Sequence, residues 1–231
     1  MDQIINYMIP LYSHCIVGEN DVEYGGINLN EKYDSILKKE FYNLSENVFR
    51  DVIRVINQTK EEAETDNNQF VKLRDNTIKI LVDYGINDLP MLERIGHVRE
   101  NILTIDEAKK LGYSVKNKHF HGLGIETYLK IMNSIDNPIG IYQYTDKGNY
   151  NSNNFIIVTP VEINGVKAIV PIEINQKGQY NQIEINYNKI KTTYSKNNFD
   201  YINKLLKNEK IKEIFTGSTS QQTSLDENNI S

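Results

Sequence analysis

Four histidines limit proton-transfer chemistry in this chain to a few positions. An imidazole titrates at about pH 6.5, so it can take up and return a proton near neutrality. His14 stands apart near the start. His97 opens a helical stretch, and His119 and His121 flank Phe120 in a basic loop before Gly122-Leu123-Gly124. In extended backbone such an alternating pair projects to one side, and the glycines let a ligand approach backbone amides. A second constellation, Thr192-Thr193-Tyr194-Ser195-Lys196, ends a long extended segment. If alternation stays regular, Thr193 and Ser195 share one face with Lys189 and Lys191, and Tyr194 faces away. Hydroxyls and ammonium groups are the donors that an anionic ligand needs. The ordinary alternatives are solvated loop histidines, Thr and Tyr as plain strand formers, and lysine as a solvated end charge. A His-x-His pair can also hold zinc, but no third ligand stands at a suitable spacing, so no metal or other cofactor is expected.

These residues must be positioned by the elements around them. Residues 1–29 carry no regular period. From Asn30 to Glu64 the apolar residues Tyr33, Ile36, Leu37, Phe41, Leu44, Val48, Val52 and Ile56 recur at helical spacing. This predicts an acidic helical leader over residues 1–69, closed by the polar linker Thr65 to Gln69. Phe70 to Leu73 reads as extended, Asp75 as the cap of a helix to Tyr84, and Leu89-Pro90-Met91 as a turn. Thr104 with Asp106 and Glu107 marks another helix start, and a further helix covers Ile125 to Asn133. The period then changes to two. Ile139–Tyr144, Phe155–Glu162, Val166–Ile174 and Gln182–Tyr194 read as strands, joined through Asp146-Lys147-Gly148, Asn164-Gly165 and Lys177-Gly178. Short hairpins force antiparallel pairing. A helix over Phe199 to Lys207 and a short element at Ile211–Phe215 follow. The expected fold is therefore α+β: N-terminal helices, then a four-stranded antiparallel sheet with a short C-terminal helix. Residues 216–231 have the composition of a disordered tail.

Charge is distributed unevenly. Residues 1–96 hold 10 Lys and Arg against 17 Asp and Glu, a balance of −7, whereas residues 97–200 hold 12 against 10, a balance of +2. The second part is thus mildly basic behind an acidic front, which is compatible with a nucleic-acid partner. No apolar run reaches the roughly 18–20 residues that span a bilayer, so no membrane partner is expected. Cys15 is the one cysteine, which excludes an internal disulfide framework and fits a reducing, cytoplasmic setting. The start, Met1 to Pro10, carries no basic residue and so lacks the mark of a secretory signal. No P-loop, nucleophile elbow, His-Glu-x-x-His or dinucleotide fingerprint occurs.

Several strings, in order, resemble the nuclease domain at the C-terminus of phage MuF-type proteins, a member of the barnase, EndoU, colicin and RelE-like group. They are Asn76-Thr77 through Leu81 and Gly85, Asp88-Leu89-Pro90-Met91, His97, His121-Gly122-Leu123, and the helix ending before Asn137-Pro138. The strand pair Ile156-Ile157-Val158 and Ala168-Ile169-Val170-Pro171-Ile172 follows, and Ile190-Lys191-Thr192-Thr193-Tyr194-Ser195-Lys196 closes the set. The resemblance covers about residues 70–215 and leaves the leader aside. It implies a toxin module that cleaves RNA without metal, in the cytoplasm of a host cell to which a phage particle can deliver it.

The substrate explains why no metal is needed, because the ribose 2′-hydroxyl already lies beside the scissile phosphate. The protein must add a base, an acid and donors for the crowded phosphorane. The resemblance implies His121 and His97 for proton transfer and Thr193, Ser195 and Lys196 for phosphate. His119, Tyr194, Lys191 and Lys189 are left to bind substrate, with the tyrosines able to stack bases. A toxin also implies an immunity or antitoxin protein, and residues 30–64 could dock on a phage structural or host protein. Two rivals remain: a catalytically inactive interaction or inhibitor module on the same fold, and a minor virion component.

Overall fold

A computed structural model describes residues 69–116, 120–147, 151–195 and 198–217, together with Val55 and the two short pairs 23–24 and 27–28. The expected leader helix, apart from the buried helical Val55, and the expected tail beyond residue 217 lie outside the described residues. Within the region read as leader, Glu23–Tyr24 and Ile27–Asn28 form a short antiparallel pair. From Phe70 onward the elements in chain order are β1 (Phe70–Arg74), α1 (Lys79–Asp83), β2 (Met91–Arg94), α2 (Ile95–Ile102), α3 (Ile105–Lys110) and α4 (Ile125–Ser134). Then come β3 (Gly140–Tyr144), β4 (Asn154–Ile163), β5 (Val166–Tyr180), β6 (Ile183–Ile190), β7 (Tyr194–Ser195), α5 (Asn198–Lys207) and β8 (Ile211–Thr216).

The expected four-stranded antiparallel sheet with helices ahead of it is overturned. Among the described residues the sheet runs β8-β3-β4-β5-β6-β2-β1, and β7 lies against β5. It is mixed, because β2 and β6 pair in parallel while the other neighbours are antiparallel. The four expected strands form its middle as β3 to β6. The chain added β1 and β2 at one edge and β8 at the other, so among the described residues strands dominate over five short helices. β2 escapes a periodicity argument because it is four residues long and buried at Met91, Leu92 and Glu93 in succession. A strand covered on both faces loses the alternation that reveals one.

Local chemistry explains the joints. Asn164 and Gly165 both adopt positive φ between β4 and β5, as a two-residue hairpin requires. Lys177-Gly178, in contrast, is not a turn. The hairpin bends three residues later at Asn181 and Gln182, both with positive φ. Asp75 does not cap α1; it pairs with Lys72, and Asp88 instead accepts from the Thr77 amide at 2.9 Å. Thr104 behaves as expected, exchanging bonds with Glu107 in a capping box.

Alternation along the central strands feeds two cores. On one face Val71, Met91, Ile157, Val170 and Ile190 pack with α1 to α4. On the other, Ile156, Val158 and Ile169 meet Ile202 and Leu205 of α5. Burying each such side chain stabilises the fold by about 1.5–3 kcal/mol before entropy is counted. Among the described residues no helix is long and apolar enough to cross a membrane.

Candidate active site

The parallel pair sets the geometry. Met91, Leu92 and Glu93 lie opposite Asn188, Lys189 and Ile190, so β2 and β6 run together and finish together. From that shared end β2 passes directly into α2, bringing His97, Glu100 and Asn101 onto one helix face by their spacing. β6 passes through Lys191, Thr192 and Thr193 into β7. A third strand of chain, the loop ahead of α4, is fastened to the same place. The amides of His121 and Gly122 donate to the Glu100 carbonyl at 3.2 and 3.1 Å, and that of Leu123 donates to the Asn101 carbonyl at 2.9 Å. These are carbonyls that a helix end leaves without internal partners. The expectation that these amides would cradle a ligand is thereby corrected, since they hold the loop instead.

This anchoring brings His121 to the strand end. Its ring lies 5.9 Å from that of Tyr194, tilted by 33°. The Tyr194 phenol is held well above its ordinary pKa, by burial first and then by the neighbouring Tyr201 hydroxyl, so it remains a neutral donor. Tyr201 in turn lies 3.3 Å, oxygen to oxygen, from Tyr144.

Regular alternation fails between β6 and β7. Ile190 faces Ile172, so an unbroken strand would set Thr193 opposite Ile169. Instead Tyr194 takes that place. One extra residue has been inserted, and the slip turns Tyr194 onto the face that carries Lys189 and Lys191. Thr193 is fully buried and its hydroxyl has no hydrogen-bond partner among the described residues. Lys189 and Lys191 approach the Glu173 carboxylate at 3.8 and 3.6 Å, and Lys191 also donates to Asn154 at 3.1 Å. His97 sits in the first turn of α2 with a buried Nδ1. The backbone of Ser195 pairs with Ala168. Lys196, His119 and the Ser195 side chain lie outside the described residues. No three His, Cys, Asp or Glu side chains cluster as a metal site among the described residues.

One further group was not anticipated. Glu93 is fully buried at the end of β2, accepting from the Tyr128 hydroxyl at 2.7 Å and the Asn101 amide at 3.3 Å. Burial pushes its carboxyl up to about pH 8; Tyr128 and Asn101 oppose the shift and the charge of Glu100 adds to it. Glu93 therefore carries a proton at neutrality and ties β2 to both α2 and α4. The one hint in the sequence is a carboxylate inside an otherwise apolar stretch, Met91-Leu92-Glu93.

The loop geometry makes a prediction. Gly122 has φ +60°, and a Cβ there would stand 3.0 Å from the Phe120 ring and 3.4 Å from Ile105. Gly122→Ala should cost about 1–2 kcal/mol in a urea melt. It should also broaden or shift the His121 ring resonances, because the two residues share one anchor on Glu100. Unchanged His121 resonances would show that the anchor does not orient the ring.

Residues 114–215 match the family described as the phage MuF C-terminal domain. No curated protein and no solved structure matches the chain. The matched segment contains His121, Thr193, Tyr194, Lys189 and Lys191, while Glu93 and His97 precede it. Since β2 pairs directly with β6, the sheet continues across the start of the match.

Proposed function

We propose that this MuF-type segment, with the strands and helices ahead of it, is a metal-independent RNA endonuclease of phage origin. The observation that carries the reading is the contact of the His121 ring with Tyr194 at the shared end of two parallel strands. His121 removes the proton of the ribose 2′-hydroxyl, whose oxygen attacks the adjacent phosphorus. The bond to the 5′-oxygen breaks, that oxygen takes a proton from a second carrier, and a 2′,3′-cyclic phosphate and a 5′-hydroxyl result. His97 is the candidate for the second carrier. The neutral Tyr194 phenol, Ser195 and Lys196 supply donors to the phosphorane. As a toxin acting inside a host cell it would be matched by an immunity or antitoxin protein, and residues 30–64 would serve delivery or docking.

The test is direct. Incubated with RNA in EDTA, the full chain should leave 2′,3′-cyclic phosphate ends, read by resistance to phosphatase until acid opening of the ring. Intact RNA in the presence of folded protein would reject cleavage and select an interaction module on the same fold.

A further inference from the structure

Two lysines approach one carboxylate on the sheet face that carries Tyr194, and a guanidinium acts on one of them. Lys189 lies opposite Leu92 on one side and Glu173 on the other. One step past the Glu93–Ile190 pair, Arg94 ends β2 and Lys191 follows the end of β6. The Lys189 ammonium is lowered from its ordinary pKa by burial first and then by Arg94; Glu173 opposes that and Lys191 adds to it. The Arg94 Nε is buried without a hydrogen-bond partner among the described residues. Like charges on adjacent strands repel unless an anion lies between them. Here Glu173, at 3.8 Å from Lys189 and 3.6 Å from Lys191, supplies one negative charge against three positive ones. The lysine side chains are 16% and 41% exposed, so the cluster can be reached yet is less screened than an open surface.

We infer that Arg94, Lys189 and Lys191 form a binding site for an RNA phosphodiester next to the His121–Tyr194 contact, with Glu173 as the resident counter-ion that the phosphate displaces. Naming RNA as the ligand rests on the nuclease reading, whereas the anion site rests on the cluster alone. The guanidinium fork suits two phosphate oxygens and the ammonium groups add charge from the adjacent strand. Glu173 offsets the repulsion between the lysines when no strand is bound, and it competes with the ligand for them.

Competition makes an unusual demand: removing a side chain should improve binding. The experiment measures a labelled single-stranded RNA on the full-length His121→Ala chain by fluorescence anisotropy over a range of salt. Arg94→Ala should weaken binding about tenfold and reduce the slope of log affinity against log salt by roughly 0.7. Glu173→Gln should tighten binding roughly three- to fivefold at low salt. Lys191→Gln provides a second loss-of-charge variant if Arg94→Ala proves unstable, and the same fall in slope is expected. Unchanged affinity and slope in Arg94→Ala and Lys191→Gln would overturn the site, as would weaker binding by Glu173→Gln. No RNA binding by the His121→Ala chain would overturn it too. Binding that depends on Arg94 in a wild-type chain that never cuts RNA would reject the nuclease reading and leave this site standing. Cleavage with binding indifferent to Arg94 would do the reverse.

Discussion

His121→Ala should lower RNA cleavage in EDTA by about 10²–10⁴-fold, the range that a positioned proton-transfer group supplies. The backbone amide of His121, bonded to Glu100 at 3.2 Å, is preserved by alanine. The ring makes a tilted contact with Tyr194, worth about 1 kcal/mol at most. A melt of His121→Ala should therefore stay close to that of the wild type while cleavage collapses. Tyr194→Phe separates two roles for the partner ring. It keeps the aromatic face beside His121 and deletes the phenol, so loss of rate at unchanged KM assigns the hydroxyl to the transition state. Equal cleavage by wild type and His121→Ala would sink the mechanism, whatever the other histidines do.

The parts of the architecture visible in the sequence are those encoded over short distances. β3 to β6 announce themselves by alternation, and Asn164-Gly165 by its tolerance of positive φ. Thr104 and Glu107 form the expected box because both partners lie within one turn. Gly178 misleads because glycine has two uses. Here a Cβ would come within 3.2 Å of the Tyr187 ring, so the residue makes room across the ladder and the bend falls at Asn181–Gln182. Long-range pairing left no such trace. β2 joins β6 nearly a hundred positions later, and nothing in Met91-Leu92-Glu93-Arg94 states which strand it will meet. The same limit applies to the site. His121 and the strand end near Tyr194 were marked by residue type and by resemblance. The inserted residue that carries Tyr194 onto the lysine face was not, because only the partner strand reveals a slip in register. Arg94 entered the picture only once β2 was seen beside β6.

Glu93 was the least legible residue of all, since a buried carboxyl and an exposed one are written with the same letter. Its burial yields the second large effect. Unfolded, Glu93 titrates near 4.5; folded, it titrates at about 8. Between those values the folded chain keeps a proton that the unfolded chain has released, so stability falls as pH rises. The contribution is fully present below about pH 4.5, is lost progressively, and levels off above about pH 8. A shift of this span corresponds to several kcal/mol, each worth about 2–4 °C in Tm for a chain of this size. Glu93→Gln removes the titration while keeping a carbonyl to accept from Tyr128, which now donates at 2.7 Å. Its melting temperature should match the wild type near pH 5 and exceed it by about 5 °C or more near pH 8. Other carboxylates of this acidic chain titrate alike in both proteins, so the difference between the two curves isolates Glu93. Glu93→Ala should behave differently. It leaves the Tyr128 hydroxyl and the Asn101 amide facing a cavity and should lose stability across the whole range. Parallel melting curves for wild type and Glu93→Gln from pH 5 to 8 would mean that Glu93 is ionised in the folded protein. The joint between β2, α2 and α4 would then hold a buried charge, and the frame beneath the His121 loop would need another explanation.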